Sequence, residues 1–241
     1  MWTDILRALT IQVEFVRGGR KLFKASTIAG YCGILTAVRK GLSVSVNYRQ
    51  DEHDFGSTDN AWPIGFLVRH VMTLSNLHYD AAKTLFKNQC LWSPCYIILA
   101  GRGEACIITR GTTFVVRLEN ISPSSNNILI QTNIDNDRVG DEYPDFMQSQ
   151  DRYHDVKEFL ETTSNGVCSE DYMWNALMLK SVWDQDTVFG TVMNPSTGEM
   201  ETRYNSDNRN QDRPPPHYLK LFRFAILLLA LVILSSKVFI Y

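Results

Sequence analysis

The sequence predicts an α+β fold in which antiparallel strands form stacked sheets flanked by helices. Three observations lead to this class. Short segments of alternating or unbroken apolar residues have the pattern of strands, two pairs of helical segments separate groups of strands, and strand and helix do not alternate regularly. A doubly wound parallel sheet requires that alternation, so this class is excluded. A sheet sandwich with helices on its faces accommodates the order.

The composition is that of a globular protein with a full core. The chain has 241 residues, of which 44% are apolar and 21% are charged, enough to bury a core of ordinary size. The net charge of −2 argues against nucleic acid as the main partner, because phosphate binding needs a positive surface. No glycine-rich phosphate loop and no zinc-ligand spacing occurs, so neither cofactor nor metal is expected. Cys90 and Cys95 are either a disulfide or two free thiols.

The first predicted elements are two strands joined by a tight turn. Residues 9–16 alternate between apolar and polar side chains, which is typical of a half-buried strand. Two glycines within residues 17–20 indicate a hairpin turn, because glycine adopts positive φ, and residues 21–28 predict the return strand. Residues 41–49 repeat the alternation and predict a further strand with one apolar face.

Two helices are predicted next. Asn60 is a suitable N-cap and Pro63 suits a first turn. The apolar residues that follow share one helical stripe: Ile64, Leu67, Val68, Val71 and Met72. Their spacing predicts an amphipathic helix. After a break at Ser75 and Asn76, residues 78–86 predict a second helix.

The second half of the chain predicts four strands, two helices and a closing hairpin. The four strands, separated by turns that contain glycine or asparagine, are residues 95–101, 104–110, 112–120 and 126–133. The two helices are residues 151–163 and 169–179, the second opened by Ser169 with acidic residues in its first turn. Residues 187–204 predict a last hairpin.

The C-terminal end differs in composition from the body. Leu219 to Tyr241 is mostly apolar, and a segment with three consecutive prolines separates it from the hairpin. We therefore divide the chain into a domain of residues 1–204, a polar, proline-rich linker of residues 205–217 and a transmembrane helix of residues 218–241. The alternative is a buried C-terminal helix of the globular body.

Five parts of the sequence resemble the acid ceramidase and N-acylethanolamine acid amidase family. They are FKASTIAGYCGILTAVRKGLSVSVNYR, then WPIGFLVRHVM with AAKTLF and CYIILAGRGEACIITR, then QTNIDND, QDRYHDV and TVFGTVMNPSTGEMETRY. They follow the family's order over about residues 9 to 204. This ordered set is more specific than any one motif in it.

The resemblance implies a four-layer αββα sandwich of the N-terminal-nucleophile hydrolase type, incomplete at its N-terminus. Enzymes of this type expose an N-terminal Cys, whose thiol attacks the amide carbonyl of an N-acyl lipid and whose α-amino group acts as the base. The implied reaction is hydrolysis of a ceramide or an N-acylethanolamine to a free fatty acid and an amine. No cofactor takes part in this chemistry.

Two catalytic positions are implied by the same resemblance. Asn133 matches the family Asn whose carboxamide N–H points at the oxyanion of the tetrahedral intermediate. Arg152 matches the first Arg of the Asp-Asp-Arg-Arg segment, which supports the active site. The residues by themselves leave two alternatives open: a turn-forming Asn at a strand end and a surface ion pair at a helix start.

The chain departs from the family pattern at the nucleophile and in one strand. The family's Cys is followed by Thr-Ser, and none of the five cysteines here has that context; Cys32 stands where relatives carry an apolar residue. The family's Asn-Glu-Arg reads Asn-Tyr-Arg, which makes Tyr48 a candidate for the substrate pocket. We therefore expect this chain alone to be inactive, with the nucleophile supplied by an upstream segment or a separate α-subunit-like chain.

Two other functions stay open at this point. The first alternative is a membrane-anchored pseudo-hydrolase that binds acyl lipid or a protein partner. The second is a fragment with no independent existence. The resemblance implies a lysosomal or endomembrane location, although the first twenty residues do not read as a signal peptide. Lys220 and Arg223 precede the uninterrupted apolar run from Phe224 to Leu234, which favours a cytosolic body. The side of the membrane is therefore open.

Overall fold

The computed structural model describes residues 2–51, 60–74, 76–121, 127–138, 148–163, 169–205 and 230–233. The helices are α1 (Trp2–Leu9), α2 (Ile64–Thr73), α3 (Tyr79–Asn88), α4 (Ser149–Thr163) and α5 (Glu170–Leu177), with a 3₁₀ turn at Asn136–Arg138. The first strands are β1 (Thr10–Arg17), β2 (Arg20–Ile28), β3 (Thr36–Arg39), β4 (Leu42–Tyr48), β5 (Cys95–Ala100) and β6 (Ala105–Arg110). The remaining strands are β7 (Val115–Asn120), β8 (Ile128–Gln131), β9 (Phe189–Asn194), β10 (Glu199–Tyr204) and β11 (Ala230–Ile233).

The centre of the fold is a seven-stranded antiparallel sheet in which β1 to β7 follow one another in chain order. Sequential antiparallel strands need only short turns, and the glycines predicted for the first hairpin adopt positive φ. The prediction of antiparallel strands in groups is confirmed. The α+β class is confirmed with it.

Both faces of this sheet are covered in its middle. On β5, Ile97 and Leu99 pack with helices α2 and α3, whereas Tyr96 and Ile98 pack with residues of β8 and β9 on the opposite face. Strand β4 is buried at every position but its last, so the expectation of a single apolar face there was too simple. Its serines are buried because a second group of strands lies over them.

The second group of strands carries the other two helices. Strand β9 pairs with β10, and β8 pairs with β11, both antiparallel. Helices α4 and α5 pack on these strands around Trp174, Leu160 and Val192. The Ser169 hydroxyl accepts a hydrogen bond from the main-chain N–H of Tyr172 at 3.1 Å and caps α5 as predicted. The packing order is therefore helices, sheet, strands and helices.

One local prediction needs correction, and two short elements were not predicted. Asn60 is not the N-cap of α2: it has a φ of 60°, and the residue at the cap is Pro63. Pro63 has no N–H to satisfy, and its fixed φ suits the entry to a helix. Helix α1 (eight residues) and strand β3 (four residues) were not predicted from the sequence.

The predicted C-terminal helix is not confirmed where the structure describes that segment. Most of residues 218–241 and of the linker 205–217 lies outside the described residues. Ala230–Ile233 are extended and pair with β8, with Ala230 opposite Gln131. A short apolar run suits a buried strand as well as a helix, so periodicity alone cannot separate them. No helix among the described residues is long and apolar enough to span a bilayer.

Candidate active site

The ends of β4 and β8 meet beside the start of α4, and this junction brings the three predicted site residues together. Tyr48 is the last residue of β4, Asn133 lies two residues beyond β8, and Arg152 is in the first turn of α4. The Asn133 Nδ2 atom donates to the main-chain carbonyl of Tyr48 at 2.8 Å. The Arg152 Nη2 atom donates to Asn133 Oδ1 at 3.0 Å. The carboxamide therefore faces the end of the seven-stranded sheet.

The Asn133 carboxamide has one orientation that its neighbours accept. A guanidinium carries only donors, so Arg152 must face the oxygen Oδ1 and the N–H bonds point the other way. Asn133 is 3% exposed and Arg152 is 1% exposed, so water does not compete for these contacts. Such burial argues against a surface ion pair for Arg152. A donor held in this way keeps its direction without reorganisation.

Ser149 belongs to the same cluster, although the sequence analysis did not single it out. Its hydroxyl oxygen lies 3.0 Å from Arg152 Nη2 and accepts the main-chain N–H of Asn133 at 3.2 Å. Ser149 is the first residue of α4 and lies three positions before Arg152, so both occupy one face of the helix. The three-residue spacing from Arg152 was the feature of the sequence that pointed to Ser149. Ser149 thus joins the turn after β8 to the helix that carries Arg152.

Tyr48 contributes to the junction through its main chain. Its carbonyl accepts the Asn133 N–H, while the residue as a whole is 48% exposed. An asparagine carboxamide has two N–H bonds, and the contact with Tyr48 uses one of them. A different side chain at position 48 therefore alters the rim of the site but keeps the main-chain carbonyl that holds Asn133.

A buried ion pair lies next to these residues. Arg49 directs Nε and Nη2 at the two carboxylate oxygens of Asp135, both at 2.8 Å. The Tyr96 hydroxyl donates to Asp135 at 2.8 Å, and Arg49 Nη1 contacts Asp51 at 2.5 Å. The hydrogen bond to Asp135 raises the pKa of Arg49. Burial and the Asp135 charge raise the pKa of Tyr96. This cluster was not predicted from the sequence.

Side-chain carboxamides also link β4 to β8 where the two strands pack against each other. Asn47 Nδ2 donates to the carbonyls of Gln131 and Thr132 at 3.0 and 3.3 Å. The Gln131 side chain returns to the carbonyl of Ile134 at 2.8 Å. These bonds replace a ladder between two strands of different layers, and they leave the turn that carries Asn133 well supported.

The four described cysteines are free, and the buried two are poor nucleophiles. Cys32 and Cys90 are exposed, whereas Cys95 and Cys106 are buried. The Cys95 residue stands opposite Tyr48 in the ladder of β4 and β5. Burial raises the pKa of the Cys95 thiol to about 12, so the thiol is neutral at physiological pH. A neutral buried thiol lacks the reactivity of a catalytic thiolate.

A cleft of about 290 Å³ opens beside the ion pair, lined by Thr109, Val116, Arg117, Asp135 and Asp137. This volume is just below the usual range of small-molecule sites. Within the described residues, no group of three or more potential metal ligands comes together. The junction presents a carboxamide N–H that is suited to donating a hydrogen bond to an oxygen that gains negative charge.

No protein-family model matches the chain. The chain is 33% identical to the acid ceramidases of Pan troglodytes and Homo sapiens, in alignments of 213 residues that cover 83% of the chain and 52% of each relative. The acid ceramidase of Mus musculus is 30% identical over the same length. The chain spans about half the length of these relatives.

The fold gives the same relationship. The solved structure of the Caenorhabditis elegans N-acylethanolamine-hydrolyzing acid amidase ortholog superimposes with a TM-score of 0.68 at 30% sequence identity. The superposition covers 81% of this chain and 84% of that one. In sequence and in fold, therefore, the chain belongs to the acid ceramidase and N-acylethanolamine acid amidase family of N-terminal-nucleophile hydrolases.

Proposed function

We propose that the chain is the oxyanion-binding part of an amidase that hydrolyses N-acyl lipids to a free fatty acid and an amine. The observation that carries the proposal is the Asn133 carboxamide, buried and fixed between Arg152 and the Tyr48 carbonyl. The names of the relatives indicate the substrate class, since one acts on ceramides and the other on N-acylethanolamines. Both substrates are amides of fatty acids. In this proposal, residues at the rim of the site, such as Tyr48, determine which amine is accepted.

In this mechanism, a thiolate attacks the amide carbonyl carbon and the carbonyl π electrons move to oxygen. The N–H of Asn133 that Tyr48 does not use donates to that oxyanion. Collapse of the intermediate restores the carbonyl and expels the amine, which leaves with a proton from the general acid. Water then hydrolyses the thioester and releases the fatty acid and the thiol. Arg152 acts by holding the Asn133 oxygen.

The thiolate comes from an amino-terminal segment or a separate chain in this proposal. Cys95 lies near the junction but is buried and protonated. Cys32 is exposed in the loop between β2 and β3, where its carbonyl accepts a hydrogen bond from Arg69. Its release as a new N-terminus would remove β1 and β2 from the sheet. This supports a nucleophile from outside the 241 residues and an inactive chain in its absence.

The alternative function is a pseudo-hydrolase that binds acyl lipid or a protein partner at a membrane. The observation that favours it is Tyr48, which stands where the resemblance places a carboxylate and is half exposed at the rim. A phenol adds apolar surface for a lipid without supplying a charge. This function requires only binding, so a protein that releases no fatty acid is still compatible with it.

The test is fatty-acid release by the 241-residue chain alone and by the same chain joined to the amino-terminal part of a related acid ceramidase. We expect no release above the buffer rate from the chain alone. The joined protein should release fatty acid from a ceramide or an N-acylethanolamine, and thiol alkylation should stop it. Release by the chain alone that is lost in Cys32→Ala contradicts the outside nucleophile. If the joined protein is inactive but purified chain retains lipid, the binding function is favoured.

Membrane attachment through the C-terminal segment is a second proposal. The apolar composition of residues 218–241 supports it, and location in the lysosomal or endomembrane system follows the resemblance. The same residues cannot pair with β8 and cross a bilayer at once, so attachment requires Ala230–Ile233 to leave the strand. In cells, the full chain should stay with membranes after alkaline carbonate extraction, and a chain that ends at residue 217 should not. Extraction of the full chain by carbonate contradicts the anchor.

A further inference from the structure

The turn that carries Asn133 is attached to the end of β4 at two neighbouring points. The first is the hydrogen bond from Asn133 to the Tyr48 carbonyl. The second joins Arg49, the residue that follows β4, to Asp135, two residues beyond Asn133 in the turn. The two attachments therefore run side by side. A shift of the whole turn relative to the end of β4 would change both attachments.

The second attachment restricts direction as well as distance. The guanidinium plane of Arg49 and the carboxylate plane of Asp135 make two parallel hydrogen bonds, a geometry that fixes both planes. Arg49 is 5% exposed, and the Tyr96 hydroxyl donates to the same Asp135 oxygen as Nε of Arg49. Strand β5, which carries Tyr96, is hydrogen-bonded to β4 along its length. Asp135 is thus held from two strands of the large sheet.

We propose that Arg49 and Asp135, with the Tyr96 hydroxyl, are positioning residues that hold the Asn133 carboxamide in the orientation needed for an oxyanion. This inference rests on the proposed function for its catalytic meaning. The pair does not touch the reacting atoms and acts through the main chain of the turn. A buried ion pair is weak support for stability, because desolvation offsets much of its attraction, and fixing one conformation is its better-attested use.

The chain offers a matched comparison at the same guanidinium. Asp51 also contacts Arg49, but it lies on the segment that follows β4, whereas Asp135 lies on the turn that carries Asn133. Asp51→Asn and Asp135→Asn each remove one negative charge from Arg49 with no change in side-chain size. Only Asp135→Asn weakens the connection to the turn of Asn133, because the carboxamide keeps one acceptor oxygen and loses the other. A general effect of charge on the fold would change both variants alike.

The experiment measures the side-chain N–H signals of Asn133 by ¹⁵N NMR in the full chain, assigned by their loss in Asn133→Asp. In Asp135→Asn we expect these protons to exchange with water about five- to tenfold faster, as when one hydrogen bond is weakened. In Asp51→Asn the rate should stay that of the native chain. Tyr96→Phe, which removes only the third contact, should give a smaller change in the same direction.

The proposal is overturned if the folded Asp135→Asn chain keeps native Asn133 exchange, or if Asp51→Asn accelerates it equally. If Asp135→Asn does not fold, Tyr96→Phe decides, and unchanged exchange there also overturns it. The readout needs no turnover, so a protein without amidase activity leaves this result standing. Conversely, native exchange in Asp135→Asn would remove the positioning role and leave hydrolysis itself unaffected.

Discussion

Replacing Asn133 by alanine should lower kcat for amide hydrolysis about 10²- to 10³-fold in the protein that carries the nucleophile segment. The variant removes the N–H that donates to the oxyanion, and this bond is strongest in the transition state. Binding of the uncharged substrate depends less on it, so KM should change little. Initial rates of fatty-acid release over a range of substrate concentrations separate the two parameters.

Two further variants test whether the loss comes from the missing donor. Asn133→Asp keeps the size of the side chain and an oxygen for Arg152 but has no N–H, so it should lose a similar factor. Asn194→Ala removes a carboxamide that accepts hydrogen bonds from the main-chain N–H groups of Ser196 and Thr197 in the turn between β9 and β10. Its kcat should stay within about threefold of the native value, because this turn belongs to a different hairpin from the turn that carries Asn133. A native kcat in Asn133→Ala would exclude the oxyanion role.

The sequence could predict most of the strands and the buried helices because these depend on local patterns. The stripe of Leu67, Val68 and Val71 became the buried face of α2. Asn133 and Arg152 came from the family resemblance, and the structure brings them to 3.0 Å from each other. Their functional roles remain predictions, since position alone does not measure a rate.

The other contacts of the site could not be predicted because they join distant segments. The Asn133 bond to Tyr48 spans 85 residues, and the Arg49 bond to Asp135 spans 86. Such pairs depend on how β8 lies over β4, which is a property of the layers and not of either strand. Tyr48 shows the limit clearly, since the side chain drew attention in the sequence while the structure uses its carbonyl.

The C-terminal segment shows a different limit. Its apolar run predicts that the segment is removed from water, but not whether it becomes a membrane helix or a buried strand. A bilayer requires a helix that satisfies its own backbone, whereas the edge of β8 accepts a strand. Pairing of Ala230–Ile233 with β8 satisfies the backbone in the second way. The choice depends on whether a sheet edge is open within reach, and composition does not contain that information.

Trp174→Ala should reduce the free energy of unfolding by about 3–5 kcal/mol, the range for deletion of a buried large aromatic side chain. Trp174 is 2% exposed in α5 and packs in the cluster with α4 and β9. Its indole N–H donates to Glu201 at 3.2 Å, and the Arg203 guanidinium lies 4.1 Å from the ring centroid. The alanine variant loses the packing, the hydrogen bond and the cation–π contact together.

Urea unfolding of the chain measures this loss, with Trp92→Ala as the control. Trp92 is 55% exposed, so its removal should change the free energy of unfolding by no more than about 0.5 kcal/mol. An equal midpoint for both variants would mean that α4 and α5 contribute little to the cooperative unit. The expected result has a consequence for the site, because α4 carries Arg152 and Ser149. If unfolding of the Trp174 variant stays a single transition, the layer that holds Asn133 in place folds together with the sheet that supplies the Tyr48 carbonyl.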